Sequence, residues 1–110
     1  MDTLKPLVEE KPVVIFSRSS TDAVSHSMKQ LFSGYGANPT VYELNELPNR
    51  QEVENGLQMM GQQNPNEPSI FIGGNFIGGP NDVIGLQIRG ELGQKLIDAK
   101  AIWVWNRYDR

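Results

Sequence analysis

The densest run of side chains that could do chemistry is Ser17-Arg18-Ser19-Ser20-Thr21-Asp22, followed by Ser25 and the one histidine of the chain, His26. The sequence contains no cysteine. Disulfides, thiolate metal sites, iron–sulfur ligation and cysteine nucleophiles are therefore excluded from the outset. A hydrolytic role for Ser20 or Thr21 would need a general base within reach. His26 follows Thr21 in the same predicted helix, off its apolar stripe and pointing elsewhere, so Thr21 is expected to cap the helix rather than attack a substrate. Asp22 is expected to act as a first-turn carboxylate opposing the helix dipole. His26 has no second histidine or cysteine beside it to complete a metal site, and a solvent-facing or capping role is expected. A second constellation is Gly78-Gly79-Pro80-Asn81-Asp82, where a helix start offers unpaired N–H groups suited to a carboxylate, or simply turns a hairpin into a helix.

The elements that must position these residues are legible as periodicities. Pro12–Ser17 is a short, mostly apolar run of the kind found in a strand covered on both faces. Val24, Met28, Leu31, Phe32 and Tyr35 then share one helical face, and Gly34 or Gly36 can end that helix. Thr40–Leu44 alternates as a second strand. A helix over about Arg50–Gln62 places Val53, Leu57 and Met60 together, and Met59-Met60 is expected in the core. Asn64–Pro68 is a loop by composition. Ser69–Ile72 and Asn75–Ile77 flank Gly73-Gly74 as a hairpin. A third helix opens at Pro80, with Val83, Ile84, Leu86 and Ile88 as its apolar residues. A last helix spans about Glu91–Ala99, carrying Leu92, Leu96 and Ile97.

The resulting order, β-α-β-α-β-β-α-α, predicts a parallel first pair of strands and an antiparallel closing hairpin. That is an α/β thioredoxin fold, a four-stranded mixed sheet flanked by helices. One domain over 1–110 is expected, with a core of about 11–104 and frayed ends. The formal net charge of −3 and the absence of a basic run argue against direct nucleic-acid binding. No apolar run approaches the ~18 residues of a membrane span, and the beginning lacks a signal-peptide pattern, so a cytosolic or nuclear protein is expected.

Lys11–Ser20, Asn38–Leu44 with Glu46-Leu47-Pro48, Phe71–Gly74 with Ile77–Gly79, and Ala101-Ile102-Trp103-Val104 occur in this order. Together they resemble the plant CC-type glutaredoxins over roughly residues 11–104. The resemblance implies glutathione-dependent thiol–disulfide exchange, yet the family's Cys-Cys-Met-Cys or Cys-Cys-Met-Ser is replaced here by Thr21-Asp22-Ala23-Val24-Ser25. Counting from Phe16 puts Thr21 at the nucleophile; counting back from His26 puts Asp22 or Ala23 at the paired cysteines. No alignment supplies a thiol, and exchange proceeds only through sulfur. The resemblance further implies a glutathione groove formed by Arg18, Thr21, Glu67, Pro68 (the family's cis-proline), Gly79, Asn81 and Asp82. Glu67 replaces the family's usual valine, so glutathione is expected to bind weakly, and no cofactor or metal is required. Partner contacts are implied for Leu92, Leu96 and Trp103, with TGA-type bZIP transcription factors as the partner class. Trp103 and Trp105 could equally cover the core.

The expected function is binding without catalysis. The alternative is a glutathione-dependent oxidoreductase or transferase in which Thr21 or Ser20 hydrogen-bonds the thiolate of glutathione. Substituting Thr21→Cys is expected to return some disulfide exchange.

Overall fold

Five consecutive buried residues, Val13–Ser17, form β1 in the computed structural model of the chain, which describes residues 3–19 and 21–102. Burial of both faces explains why this strand reads as a continuous apolar run. β2 (Thr40–Glu43) pairs with it in parallel, with Phe16 opposite Tyr42, and β3 (Ser69–Ile72) pairs antiparallel on its other side, with Val14 opposite Phe71. β4 (Asn75–Gly78) closes the hairpin, giving a four-stranded sheet in the order β2-β1-β3-β4. The predicted thioredoxin-type arrangement, one parallel pair and an antiparallel hairpin, is the one observed.

Because side chains alternate along a strand, β1 sends Val13 and Ile15 to one face and Val14 and Phe16 to the other. The first face meets Met28 and Phe32 of α2 (Ala23–Gly34), Val83 and Leu86 of α4 (Pro80–Ile88), and Leu92 and Leu96 of α5 (Leu92–Asp98). The second meets Leu4, Leu44, Val53 and Leu57, of which Val53 and Leu57 belong to α3 (Arg50–Met59). Phe71 stands edge-on to both Phe16 and Phe76, with ring centroids 5.8 and 5.3 Å apart, so aromatic rings pack beside the leucines and valines of this face.

Several expectations change. The segment read as a frayed beginning contains a helix, α1 (Lys5–Glu9), whose residue Val8 and the preceding Leu4 are buried against the second face. Five residues are too few to show a helical period or to form a helix alone. Tertiary burial holds it. In α2, Ser25 rather than Val24 turns inward with Met28 and Phe32, and Val24 is exposed. A buried serine is tolerated there because its hydroxyl donates to Asp22.

Met59 and Met60 are not core residues: they are 75% and 42% exposed. Met59 lies two residues past the buried Leu57, about 200° round α3 on its outward side, and Met60 is the C-cap, where Gly61, at φ +114°, turns the chain away. Ile84 and Ile88 are likewise exposed, while Val83 and Leu86 take the packed face of α4. Leu44 belongs to a short 3₁₀ turn, Leu44–Glu46, not to β2.

Candidate functional site

β1 runs directly into the loop that starts α2, and this loop holds the hydroxyl-rich run. The Ser17 hydroxyl donates to the Ser19 carbonyl at 2.7 Å, and the Asp22 N–H donates to the same oxygen at 3.1 Å. The helix cap is Asp22, not Thr21. Asp22 Oδ1 accepts from the main-chain N–H groups of Val24 and Ser25 at 3.0 and 3.1 Å, while Oδ2 accepts from Ser25 Oγ at 2.8 Å and, at 3.5 Å, from the Arg18 N–H. A carboxylate is favourable at this position because its shared negative charge lies beside the positive end of the helix. Partial burial pushes the Asp22 carboxyl pKa up, but the hydrogen bonds from Ser25, Arg18 and Val24 outweigh it and hold the group below its ordinary value.

Thr21 is exposed, and its Oγ1 lies 3.0 Å from Ser19 Oγ, a hydroxyl that cannot serve as a base. His26 is exposed one turn further on, beside a small cavity of about 150 Å³ that also touches Asp22, Lys29 and Glu43 but not Thr21. Ser20 lies outside the described residues. Among the described residues, no group of three or more histidine, cysteine or acidic side chains could hold a metal ion.

A larger cavity of about 380 Å³ opens between the loop that precedes β3 and the start of α4. Glu67, Pro68, Gly79, Asn81 and Asp82, far apart in sequence, line it together; Arg18 and Thr21 do not. The Arg18 guanidinium instead donates to the Pro65 carbonyl at 3.0 Å, bracing the neighbouring loop. Gln62, Gln63 and Asn64 also line the cavity, and Gln62 Nε2 donates to Ser69 Oγ at 2.8 Å. These amides went unassigned from sequence, where a polar stretch reads only as a loop. The Glu67–Pro68 bond is trans, contrary to the implied cis-proline. Trans is the lower-energy form of an X–Pro amide by roughly 0.5–1 kcal/mol.

Asp82 closes the helix start on itself. Its Oδ2 accepts the Gly79 N–H at 2.9 Å, and a Cβ on Gly78 would collide with this carboxylate. Gly78 also has φ +127°, so the turn into α4 requires glycine there. Glu67 reaches over the same turn, with Oε1 only 3.2 Å from where a Cβ on Gly79 would stand.

The residues assigned to partner contact fall elsewhere. Leu92 and Leu96 are wholly buried, packed against the sheet with Phe32 and Val83, and present no surface to a partner. Their helical spacing is that of an inward face, which an extended recognition motif shares. Trp103 lies outside the described residues.

No protein-family model matches the chain. Monothiol glutaredoxin-S6 of Arabidopsis thaliana is 51% identical over 104 residues, which cover 94% of this chain and 100% of that protein. The chain belongs to the glutaredoxin family. Glutaredoxin-C11 of the same plant is 41% identical over the same shares of the two chains. Among solved structures, a buckwheat glutaredoxin–glutathione complex superposes with a TM-score of 0.83 at 30% identity, covering 93% of this chain and 91% of that one. The holo form of glutaredoxin C1 from Populus tremula x tremuloides gives 0.79 at 35% identity, covering 91% and 88%. This glutaredoxin thus keeps the family fold along nearly its whole length while carrying no cysteine.

Proposed function

We propose that this glutaredoxin does not catalyse thiol–disulfide exchange and acts by binding other proteins, with TGA-type bZIP transcription factors as the partner class. What supports the first half is Asp22. A glutaredoxin thiol needs the open N–H groups of a helix N-terminus to lower its pKa. Here Val24 and Ser25 already donate to a fixed carboxylate. The site lacks the sulfur, and the electrostatic device that would serve one is occupied from within the chain.

The test is reduction of a glutathione mixed disulfide by glutathione, with and without the protein. Turnover above the uncatalysed rate would overturn the proposal. Thr21→Cys alone is expected to give a sluggish thiol, and Thr21→Cys combined with Asp22→Ala a faster one, because the helix N–H groups are then free.

Partner contact is assigned to the neighbourhood of Trp103, since Leu92 and Leu96 lie in the core. Capture on an immobilised TGA-type factor should fall on Trp103→Ala without loss of folding. Binding of this kind places the protein in the nucleus as well as the cytoplasm, which a fluorescent fusion would show.

The alternative, a glutathione-dependent oxidoreductase or transferase, is favoured by the cavity that gathers Glu67, Pro68, Gly79, Asn81 and Asp82. Of the two hydroxyls assigned to its thiolate, Thr21 does not line that cavity, and Ser20 lies outside the described residues. Chemical-shift changes at Glu67 and Asn81 on adding reduced glutathione would support this second reading.

A further inference from the structure

We propose that Met59 and Met60 form a reversible oxidation site, at which a hydroperoxide converts thioether to sulfoxide and, through Met60, loosens α1. The inference goes beyond the proposed function and does not rest on it.

All the sulfur of the chain belongs to four methionines. Met1 lies outside the described residues, and Met28 is buried in the face shared by α2, α4 and α5. Among the described residues, the sulfur open to a solute is therefore that of Met59 and Met60. A thioether has no proton to lose, so access to the sulfur decides which one reacts. In the step, the sulfur lone pair takes one oxygen of the hydroperoxide: an S–O bond forms, the O–O bond breaks, and the other oxygen leaves as water or an alcohol. Sulfur loses two electrons and the peroxide gains them. A methionine sulfoxide reductase reverses the change.

The pair stands where added polarity has a structural consequence. α1 lies alongside α3. The Thr3 hydroxyl donates to Glu52, in the first turn of α3, at 3.1 Å. At the end of α3, Leu4 and Val8 share with Met59 and Met60 the lining of a cavity of about 390 Å³, whose charged residues are Lys5 and Glu9. α1 has five residues and no side-chain cap, so it depends on the apolar contacts of Leu4 and Val8. Oxidation makes Met60, which is more than half covered, a polar member of that lining. Its new oxygen is better solvated when the cavity opens to water, and opening the cavity means releasing α1. Met59 is turned to solvent, so its sulfoxide is hydrated in place and leaves α1 undisturbed.

The experiment treats the full chain with dilute hydrogen peroxide and reads it by fragmentation mass spectrometry. Hydrogen exchange is followed at the N–H groups of Leu7 and Val8, which donate to the Leu4 carbonyl at 3.0 and 3.2 Å. Met59 and then Met60 should each gain one oxygen, at least about tenfold faster than Met28, which is reached only when the core opens. Exchange at Leu7 and Val8 should rise about three- to fivefold once Met60 is oxidised, and fall back after reductase treatment. Met60→Gln should reproduce the rise without peroxide. Met60→Leu, of similar volume and not oxidisable, should abolish the response to peroxide while Met59 still gains its oxygen. Oxidation of Met28 at the pace of Met59 in the folded chain overturns the inference. So does unchanged exchange in α1 with Met60 fully oxidised. A response to peroxide that persists in Met60→Leu belongs to another methionine and overturns the role of Met60.

Discussion

Replacing Asp22 by alanine removes, in one step, the cap of α2 and the acceptor of a buried hydroxyl. Asp22 Oδ1 satisfies two main-chain N–H groups of the first helical turn, and loss of such a cap costs about 1 kcal/mol. Ser25 is 4% exposed, and its hydroxyl donates to Oδ2 at 2.8 Å. Leaving that donor without its acceptor adds roughly another 1 kcal/mol. Asp22→Ala should therefore lower stability by about 2 kcal/mol, seen as a fall in Tm of roughly 10 °C for a domain of this size. Asp22→Asn keeps the Oδ1 acceptor of the two helix N–H groups but puts an amide donor at the Oδ2 position facing Ser25, and should lose about 1 kcal/mol.

Acidity separates the charge of Asp22 from its geometry. The folded carboxyl sits below its ordinary value of 3.8, since the bonds to Ser25, Arg18 and Val24 outweigh burial. A depressed folded pKa means that the stabilisation is fully present above the unfolded value. It is lost as pH falls from there through the folded one. Urea titrations between neutral pH and about pH 2 should thus show a loss below about pH 4. That loss should be smaller in Asp22→Asn. A change of under about 0.5 kcal/mol in Asp22→Ala, within the range of ordinary surface substitutions, would refute the assignment of Asp22 as cap.

Gly78→Ala combines a backbone conformation at φ +127° with a collision against the Asp82 carboxylate, and should cost at least about 2 kcal/mol in urea unfolding. Leu96→Ala should lose roughly 2–5 kcal/mol because Leu96 is wholly buried in the face shared by α2, α4 and α5, whereas the exposed Met59→Gln should stay within about 0.5 kcal/mol. Leu4→Ala should destabilise by roughly 2–5 kcal/mol on thermal melting, a loss that a frayed beginning would not show.

The strands, their pairing sense and the main helices were legible because their signals are local and periodic. β1 is wholly buried and reads as an unbroken apolar run, and the Gly73-Gly74 hairpin has its turn residues between two apolar stretches. Burial at helix ends was less legible, since it depends on where a helix stops relative to the sheet. Met60 shares the helical spacing of Val53 and Leu57, yet α3 ends at Met59 and leaves Met60 exposed at its cap. Leu92 and Leu96 posed the converse difficulty. A pair four residues apart suits a recognition motif and an inward helical face equally, and only packing against Phe32 and Val83 distinguishes them.

The sequence by itself determined that the chain carries no cysteine, the residue whose thiolate the family's exchange reaction would use. It also determined the order of the four strands and of α2 to α5, since hydrophobic period is a property of neighbouring residues. Only the tertiary structure decided which residue caps α2. Thr21 and Asp22 are adjacent, and nothing in their order says which one turns back onto the N–H groups of Val24 and Ser25; the path of the loop out of β1 selects Asp22. Glu67 and Gly79 are twelve residues apart in sequence, and a hairpin and a turn must form between them before the carboxylate of one lies over the backbone of the other. Chemistry that depends on which atoms are present is readable along the chain. Chemistry that depends on which distant groups share a few ångströms is created by folding.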